Sequence, residues 1–508
     1  MGSIGGPRPY VAWTRARVFA LRHGLALKAL TGLVAVAYVL YGRRRGVRGE
    51  AGGGVGGADG EAPPCDVLVN PAWAPRLSSL RELSLAGCGL ESVPEAIGRC
   101  VNLEKLDLAR NDLVDLPEAL ARLERLEVLF VLGARRMVAV PAVLARLPAL
   151  TRLGLRSNGL AKLEGARLPP NLVHAIFTDN KIASIDEAAY AKFRGVKKLM
   201  LANNALTSFT GGARPATNLG SLELLRLANN DLGPDGLGAL LTLPRLAWIA
   251  LAGNPRLLGV PPTWSSAVPT VDMGDVDASD GEVLGAGASG EVTAVAWRGE
   301  TVALKRLAVK SSDGRATDEL AVIRALGARR DAPESLVRAV AVVEEPPAVL
   351  MEKLPKGARD LAKPPTIKEV SRDRYPDGER FSPDFALRVA TELAAAVAFL
   401  HAHDVAHGDV YGHNTLVHDA SKTVKLGDFG AAFYYGNVAA DVKRRFAKVE
   451  ARALGVLIAE LATRVVGDAD LKAKLLAVAD AALDADVDKR PDPAAVLASL
   501  RGFAPSPP

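Results

Sequence analysis

Apolar and polar positions recur with a fixed period over much of the first half of the chain. The pattern is L-x-x-L-x-L-x-x-N, and its eight copies start at Leu80, Leu103, Leu126, Leu150, Leu172, Val196, Leu222 and Leu246. In the second copy Leu103, Leu106 and Leu108 alternate along a short predicted strand, and the Asn111 side chain can bond backbone groups where that strand turns. Each copy is therefore predicted to form one rung of a stack.

These copies resemble leucine-rich repeats over about residues 66–268. The asparagine position is held by Asn111, Asn158, Asn180, Asn204, Asn230 and Asn254. Cys88 fills that position in the first copy, as the family allows, whereas Ala134 departs from it in the third, where we expect a looser turn. The resemblance implies an α/β solenoid whose concave sheet binds a protein partner.

The strand positions predicted to face outward on the concave sheet carry apolar side chains interspersed with arginine and lysine. In the middle repeats they are Val128, Phe130, Leu132, Arg152, Arg156, Ile176, Lys198 and Met200. Such a mixture indicates a contact surface for a protein substrate or regulator. Two alternatives remain: ordinary scattered surface residues, or a docking face for the domain that follows in the same chain.

A different pattern begins after the repeats and a short acidic linker, residues 269–281. It has the spacing G-x-G-x-x-G at Gly285, Gly287 and Gly290, which alone would also suit a dinucleotide site. A dinucleotide fold requires a helix here, but residues 291–297 and 301–305 both read as strands. Two strands after the loop predict a hairpin lid over phosphates.

Residues 282–505 resemble the protein-kinase family, in an α+β fold of two lobes. The ordered matches are Gly285, Gly287, Gly290 and Val292 in the loop, then Lys305, helical Glu319, His407 and Asp409 with Asn414, and Asp428-Phe429-Gly430. Phosphoryl transfer relies on positioning and charge stabilisation, which these residue types supply.

The family resemblance implies a role for each matched residue. Lys305 would hold the α- and β-phosphates of ATP and pair with Glu319, while Asp428 and Asn414 would bind Mg²⁺. Asp409 would accept the proton of the attacking hydroxyl. By the same resemblance, Met351 falls at the gatekeeper and Glu352 and Leu354 offer backbone groups to adenine.

Two further segments match late motifs of the family. Glu450 to Gly455 resembles the start of a buried helix, with Glu450 in place of the usual aspartate. Arg490, in the sequence Asp488-Lys489-Arg490-Pro491, resembles the late arginine.

The matched region also departs from the family. Gly408 replaces the arginine of H-R-D, and residues 431–449 contain no serine or threonine, so regulation by Ser/Thr phosphorylation of that segment is not expected. Tyr411 stands where a lysine usually contacts the γ-phosphate, and His413 could substitute only when protonated. The interval from Gly430 to Glu450 is short for substrate docking, and Arg490 lacks its usual glutamate partner.

The positive net charge of the chain, +6, is concentrated in a basic leader, residues 1–48, which contains eight arginines and Lys28 but no acidic residue. The remainder carries a slight acidic excess, which argues against a nucleic-acid partner. The apolar run from Ala29 to Tyr41 is borderline for a membrane span, so the leader reads as an N-terminal anchor, an organelle transit peptide or a plain tail. A glycine-rich flexible linker is expected at 49–65.

The composition, 49% hydrophobic and 24% charged, indicates a globular chain. Three cysteines, Cys65, Cys88 and Cys100, are too few for a disulfide scaffold and indicate a reducing compartment. No membrane span separates repeats from kinase, so both are expected on the ATP-containing side: cytoplasmic, membrane-anchored or imported into an organelle.

The sequence thus predicts an intracellular ATP- and Mg²⁺-dependent protein kinase, Ser/Thr-directed, with a repeat module for protein recognition. Two alternatives stay open: a pseudokinase scaffold that binds partners without phosphate transfer, and a small-molecule kinase.

Overall fold

The computed structural model describes residues 65–503 except 260, 262–267, 279, 280, 288, 289, 327, 328 and 330. The predictions for the basic leader and for all of the glycine-rich linker but its last residue lie outside the described residues. Two regions, the repeats and the kinase-like lobes, make up the described part.

The repeats form one parallel sheet of eight strands, in the order β1-β2-β3-β4-β6-β8-β9-β10. The strands are β1 (Glu82–Ser84), β2 (Lys105–Asp107), β3 (Val128–Phe130), β4 (Arg152–Gly154), β5 (Lys162–Leu163), β6 (His174–Ile176), β7 (Ser184–Ile185), β8 (Lys198–Met200), β9 (Leu224–Arg226) and β10 (Trp248–Ala250). β5 and β7 pair with each other in a separate small sheet. Each strand of the large sheet starts two residues after the leucine or valine that opens its repeat.

Short helices return the chain from one strand to the next. The first repeats use 3-10 turns, at Leu77–Ser79, Glu95–Arg99, Glu118–Arg122, Ala142–Arg146 and Gly165–Arg167, and three of these follow Pro94, Pro117 and Pro141. The later repeats use α1 (Glu187–Lys192), α2 (Pro215–Asn218) and α3 (Leu237–Leu240). A proline at the start of a turn is tolerated because the first N–H groups have no partner within the turn.

An asparagine ladder joins successive rungs of the solenoid. The Asn111 side chain donates to the carbonyls of Leu85 (2.9 Å) and Leu108 (3.0 Å) and accepts from the N–H of Leu90 (3.0 Å). At the third repeat the buried N–H of Ala134 likewise donates to the Asn158 oxygen of the next rung, at 2.7 Å. This turn therefore keeps its bond from the next rung, although Ala134 has no side-chain amide to donate to the rung before it.

The structure joins Cys65 to Cys88 in a disulfide, whereas Cys100 is free and buried. This differs from the expectation of reduced thiols throughout, and it gives Cys88 a different task from that of the asparagines in the same position. The bond closes the first turn of the solenoid, where no earlier described rung covers the core.

The kinase-like region has two lobes. The first contains the antiparallel sheet β11-β12-β13-β15-β14 and the helix α4. Its elements are β11 (Val283–Gly287), β12 (Gly290–Trp297), β13 (Glu300–Leu307), α4 (Ala316–Leu326), β14 (Ala339–Val343) and β15 (Ala348–Met351), preceded by a 3-10 turn at Met273–Asp275. The fold class, an α/β repeat solenoid followed by an α+β kinase-like domain, is confirmed.

The second lobe is mainly helical. It contains β16 (Arg359–Asp360), α5 (Pro383–Ala402), β17 (Val405–Ala406), β18 (Thr415–His418), β19 (Thr423–Leu426), β20 (Phe433–Tyr434), α6 (Ala440–Ala462), α7 (Ala469–Ala482) and α8 (Pro493–Arg501), with 3-10 turns at Gly412–Asn414, Phe429–Ala431 and Val487–Lys489. α6 begins ten residues before Glu450, where the sequence predicted a helix start, so Glu450 lies inside a helix. The segment between Gly430 and this helix is therefore even shorter than expected.

Helix α5 illustrates how local sequence sets an element that positions the site. The Ser382 hydroxyl accepts from the N–H of Phe385 (3.2 Å), and Pro383 occupies the first turn. Among the described residues α5 is long and apolar enough to cross a membrane by length and composition, but its apolar face, including Val389, Leu393 and Leu400, lies in the core of the second lobe. It is the core helix that leads into the loop carrying Asp409 and Asn414.

The concave face of the repeats packs against the second lobe. Leu224 of β9 and Trp248 of β10 belong to the same apolar core as α5, while Phe433 and Phe446 of the second lobe join the repeat core. The two regions therefore share buried surface, and the loop carrying Asp409 lies between them.

Candidate active site

The glycine-rich segment forms the predicted hairpin over the cleft. β11 and β12 pair antiparallel, with Gly285 opposite Val292 and Gly287 opposite Gly290. Gly290 has φ +151°, and a Cβ there would lie 1.8 Å from the carbonyl oxygen of Arg306. A side chain at 290 would therefore push β12 away from β13, which explains why glycine is required.

Lys305 connects the two lobes at the base of this hairpin. Its Nζ lies 2.7 Å from Glu319 Oε1 on α4 and 2.9 Å from Asp428 Oδ1. Burial would lower the pKa of Lys305, but the carboxylates of Asp428 and Glu319 raise it, so the ammonium stays charged. Burial also raises the pKa of Glu319, which Lys305 opposes. The structure thus brings together three residues that lie far apart in sequence.

Asp428 follows strand β19 in an uncommon backbone conformation. Its φ is +55°, a left-handed value that a non-glycine residue adopts only where the surroundings hold it. Its Oδ1 accepts from the N–H of Gly430 at 3.2 Å. This turn aims the carboxylate at Lys305.

The loop that follows β17 holds Asp409 and Asn414 together. Asn414 Nδ2 donates to the carbonyl of Asp409 (2.8 Å) and to its Oδ2 (3.1 Å). Below the loop His407 bonds the Gly427 carbonyl (3.0 Å), and Glu450 accepts from the N–H of Gly408. Burial would raise the pKa of Glu450, but its hydrogen bond to His401 holds it below the ordinary value. Glu450 is therefore a buried anchor for the loop.

The predicted adenine side lies at the end of β15. The side chain of Glu352 accepts from Lys425 Nζ (2.8 Å) and from the N–H of Arg338 (2.8 Å), and its own N–H donates to the Arg338 carbonyl. A ligand would therefore meet the carbonyl of Glu352 rather than its N–H. Leu354 is half-buried beyond it.

The residues present suit ATP and a divalent metal. The Asn414 nitrogen is engaged by Asp409, which leaves the amide oxygen, and Asp428 adds a carboxylate, both hard ligands of the kind that Mg²⁺ takes. Within the described ranges no group of three His, Cys, Asp or Glu side chains forms a metal site by itself. Phosphate oxygens would complete the coordination, as is usual for Mg²⁺ with nucleotides.

His413, considered above as a substitute cation, is held elsewhere. Its Nδ1 lies 2.6 Å from Asp373 Oδ1, and its ring packs beside Tyr411, with centroids 4.7 Å apart. Burial would lower the pKa of His413, but the bond to Asp373 raises it. The imidazolium is thus favoured, with its charge paired to Asp373.

A residue that sequence reasoning missed occupies the vicinity of Asp409. Arg226, from β9 of the repeats, places Nη2 2.5 Å from Asp409 Oδ1, Nη1 3.1 Å from the Gly408 carbonyl and Nε 2.9 Å from Asp313 Oδ1. Its side chain is 5% exposed. Burial would raise the pKa of Asp409, but Arg226 and then His413 hold it below the ordinary value. Extending the outward register of the concave face by one repeat would have singled out Arg226.

Other concave residues surround this contact. The Trp248 ring stacks on Tyr411, with centroids 4.3 Å apart and planes 7° from parallel, and its Nε1 donates to the Val410 carbonyl at 2.9 Å. Glu223 accepts from Ser371 and, at 2.8 Å, from Arg372. The concave face is therefore covered here by the second lobe, the intramolecular alternative raised from the sequence.

Arg490, expected to lack its glutamate partner, forms hydrogen bonds to backbone carbonyl oxygens instead. It donates to the carbonyls of Asp484 and, in the repeat region, of Pro244, each at 2.7 Å. Arg452 similarly donates to the Arg245 carbonyl at 3.1 Å. Both side chains secure the second lobe against the last rung.

Comparison with known proteins agrees with this architecture. The family model for the protein kinase domain matches residues 278–450, and that for the leucine rich repeat matches residues 79–100. The chain thus combines leucine-rich repeats with a protein kinase domain, and the recognition made from the motifs is confirmed. A protein kinase domain uses ATP, a divalent metal and protein substrates.

Two relatives are serine/threonine-protein kinase/receptor proteins of Acanthamoeba polyphaga mimivirus. One is 29% identical over 154 residues, 29% of this chain and 8% of the relative; the other is 29% identical over 177 residues, 33% and 10%. The chain therefore spans at most a tenth of the length of these curated relatives. A solved leucine-rich-repeat protein of Leptospira interrogans is 24% identical, with a TM-score of 0.29, over 36% of this chain and 52% of that one.

Proposed function

We propose that the protein is an active ATP- and Mg²⁺-dependent protein kinase that phosphorylates serine or threonine. The observation that carries the proposal is the buried Lys305–Glu319 pair, 2.7 Å apart and joined to Asp428. The Lys305 and Glu319 side chains are buried, and burying charged groups is costly, so their retention beside the more exposed Asp428 supports a working nucleotide site.

Each residue would contribute a defined part to the transfer. Lys305, held by Glu319, would orient the α- and β-phosphates, and Asp409 would orient the attacking hydroxyl and take its proton. Asp428 and Asn414 would hold Mg²⁺, which when bound neutralises charge on the phosphates. Gly285, Gly287 and Gly290 would let the hairpin backbone approach those phosphates, and Val292, which pairs with Gly285, would contact the nucleotide.

The shared buried surface supports one further part of the proposal. Because the repeats and the second lobe pack on each other, we place both on the ATP-containing side of any membrane. The repeat module would bring the kinase to its protein partner within that compartment.

The decisive experiment is transfer of labelled phosphate from ATP/Mg²⁺ by the full chain to itself and to a generic protein. We expect label that disappears in Asp428→Asn and Asp409→Ala but persists in Asp419→Asn, an exposed control. Label that persists in the first two would contradict the proposal.

A second candidate, a scaffold without transfer, is favoured by one observation. Both carboxylate oxygens of Asp409 are already bonded, one by Arg226 and the other by Asn414. Nucleotide binding without label in any variant of the chain would support this candidate.

A further inference from the structure

The concave face meets the second lobe at the side of the cleft that receives a substrate hydroxyl. β9 and β10 lie over the catalytic loop, and Ala202, Ala228 and Ala250 of three successive rungs pack with Ala431, just after the Asp428-Phe429-Gly430 turn. Further out, Arg152 of β4 donates to the Ile367 carbonyl at 2.9 Å. The contact therefore extends along several rungs.

Arg226 is the centre of this contact. A hydroxyl must hydrogen-bond to a general base before it can lose its proton there. Arg226 bonds one oxygen of Asp409 at 2.5 Å, and Asn414 bonds the other at 3.1 Å. Arg226 therefore lies on one side of the Asp409 carboxylate, and a substrate hydroxyl that approaches from that side has to displace the guanidinium.

The nucleotide side of the same cleft is more open. The side chain of Asp428 is 39% exposed, against 18% for Asp409. Lys305 already pairs with Glu319, as the transfer requires. The repeats thus cover the acceptor side while the phosphate-binding side stays assembled.

The positions that depart from the kinase pattern are positions of contact with the repeats. A Cβ at Gly408 would lie 2.6 Å from the Ala431 carbonyl and 2.7 Å from the Ile249 carbonyl of β10, so an arginine there has no room between the second lobe and the repeats. Tyr411 is the surface on which Trp248 stacks, and Arg490 donates to Pro244. Two departures, Gly408 and Tyr411, and the late arginine Arg490 all contact the repeats, which indicates that the contact is part of the fold.

We propose that the repeat domain acts as an intramolecular inhibitor of the kinase, occupying the acceptor site and leaving the ATP site accessible. The occupant of the concave face from β4 to β10 is this chain's own kinase region, chiefly the second lobe with Ser311 and Asp313 of the first, and Arg226 is the residue that closes Asp409. The inference rests on the proposed function, and a protein that displaces the lobe from this face would release acceptor access.

The Arg226–Asp409 ion pair could also have the opposite effect, so the test must distinguish a residue that closes Asp409 from one that positions it. If Arg226 instead positions Asp409 and replaces the cation missing at Tyr411, its loss lowers the rate, and a lysine in its place restores part of it. If Arg226 closes the site, reversing its charge raises the rate, because it then faces Asp409 and Asp313 with a like charge.

The experiment compares the full wild-type chain with Arg226→Glu, Arg226→Lys and the exposed first-rung control Arg81→Glu. We expect Arg226→Glu to raise kcat/KM for a generic protein acceptor at least tenfold, with KM for ATP within about twofold of wild type. Arg226→Lys and Arg81→Glu should remain within about threefold of wild type. Amide exchange of residues 408–411 and 248–250 should quicken only in Arg226→Glu, and nucleotide binding should verify that this variant is folded.

Three results overturn the inference and differ in what else they remove. A fall in Arg226→Glu with activity retained in Arg226→Lys makes Arg226 a positioning residue, and the kinase function stands. Equal activity in all four proteins removes any role for Arg226 but also leaves the kinase function intact. If exchange shows an opened face and no variant transfers label, the proposed function itself fails.

Discussion

In the nucleotide half of the cleft, Lys305, Glu319 and Asp428 contact one another within the kinase domain, whereas in the acceptor half Asp409 contacts Arg226 of the repeats. The first half keeps the family residues. The second replaces several of them, and its replacements fit the neighbouring rungs. Under the proposed function, these departures from the motif record a new partner within the chain rather than decay of the site.

Loss of the Lys305 ammonium should have the largest effect, because it removes the charge on which the nucleotide half depends. In the Arg226→Glu background, Lys305→Met should lower phosphate transfer at least about 100-fold. Transfer of label to the acceptor measures the effect, with the exposed Lys422→Met as control. Unchanged phosphate transfer in Lys305→Met would contradict the role given to Lys305 in binding the nucleotide.

Gly408 offers the sharpest test of the acceptor half. Gly408 and Gly378 share φ +76°, but a Cβ at 408 would meet the carbonyls of Ala431 and Ile249, at 2.6 and 2.7 Å, whereas a Cβ at 378 has open space. Gly408→Ala should lower the free energy of unfolding by about 2–4 kcal/mol and Gly378→Ala by about 1 kcal/mol. Denaturant unfolding of both variants measures this, and equal losses would mean that neither Ala431 nor the rung carrying Ile249 restricts position 408.

Trp248 tests the contact at a smaller scale. Trp248→Phe keeps an aromatic ring on Tyr411 but removes the donor to the Val410 carbonyl, which should cost about 1–2 kcal/mol of unfolding free energy. Trp297→Phe, in the nucleotide half, should cost less than about 0.5 kcal/mol by the same measurement. A larger loss of unfolding free energy in Trp297→Phe than in Trp248→Phe would mean that the Trp248 contact with the second lobe contributes little to stability.

His413 predicts the smallest effect, and one that depends on pH. Because Asp373 raises its pKa, the pair stabilises the fold fully below the unfolded value near 6.5 and loses this contribution as the pH rises through the folded value. The stability lost in His413→Gln should therefore be about 1 kcal/mol larger at pH 6 than at pH 9. The same difference in His418→Gln would point to a general effect of pH.

Much of the architecture could be predicted because its signals are local or ordered. Leucine spacing located the eight strands to within two residues of each repeat start, since the pattern and the rung have the same period. The order of kinase motifs brought Lys305, Glu319 and Asp428 together for a similar reason: the family fold fixes where each motif lies.

The contact between the halves could not be predicted in the same way. Arg226 and Asp409 are 183 positions apart, and an outward arginine on a strand does not show what will cover it. From the sequence, Gly408 and Tyr411 show only the loss of the arginine and lysine of the family pattern. The structure shows that Ile249 and Trp248 of the repeats contact these two positions. The early start of α6 was missed because residues 440–449 match no family motif that marks a helix.

The last strand of the repeats and the first strand of the kinase, β10 and β11, are joined by a short stretch of the same chain, residues 251–282. Such a tether holds two surfaces at an effective concentration of the order of millimolar. A free protein at about 1 µM would have to bind the concave face roughly a thousandfold more tightly than the tethered lobe does to displace it half of the time. Local abundance of a ligand, as much as its affinity, would then decide when the two halves separate.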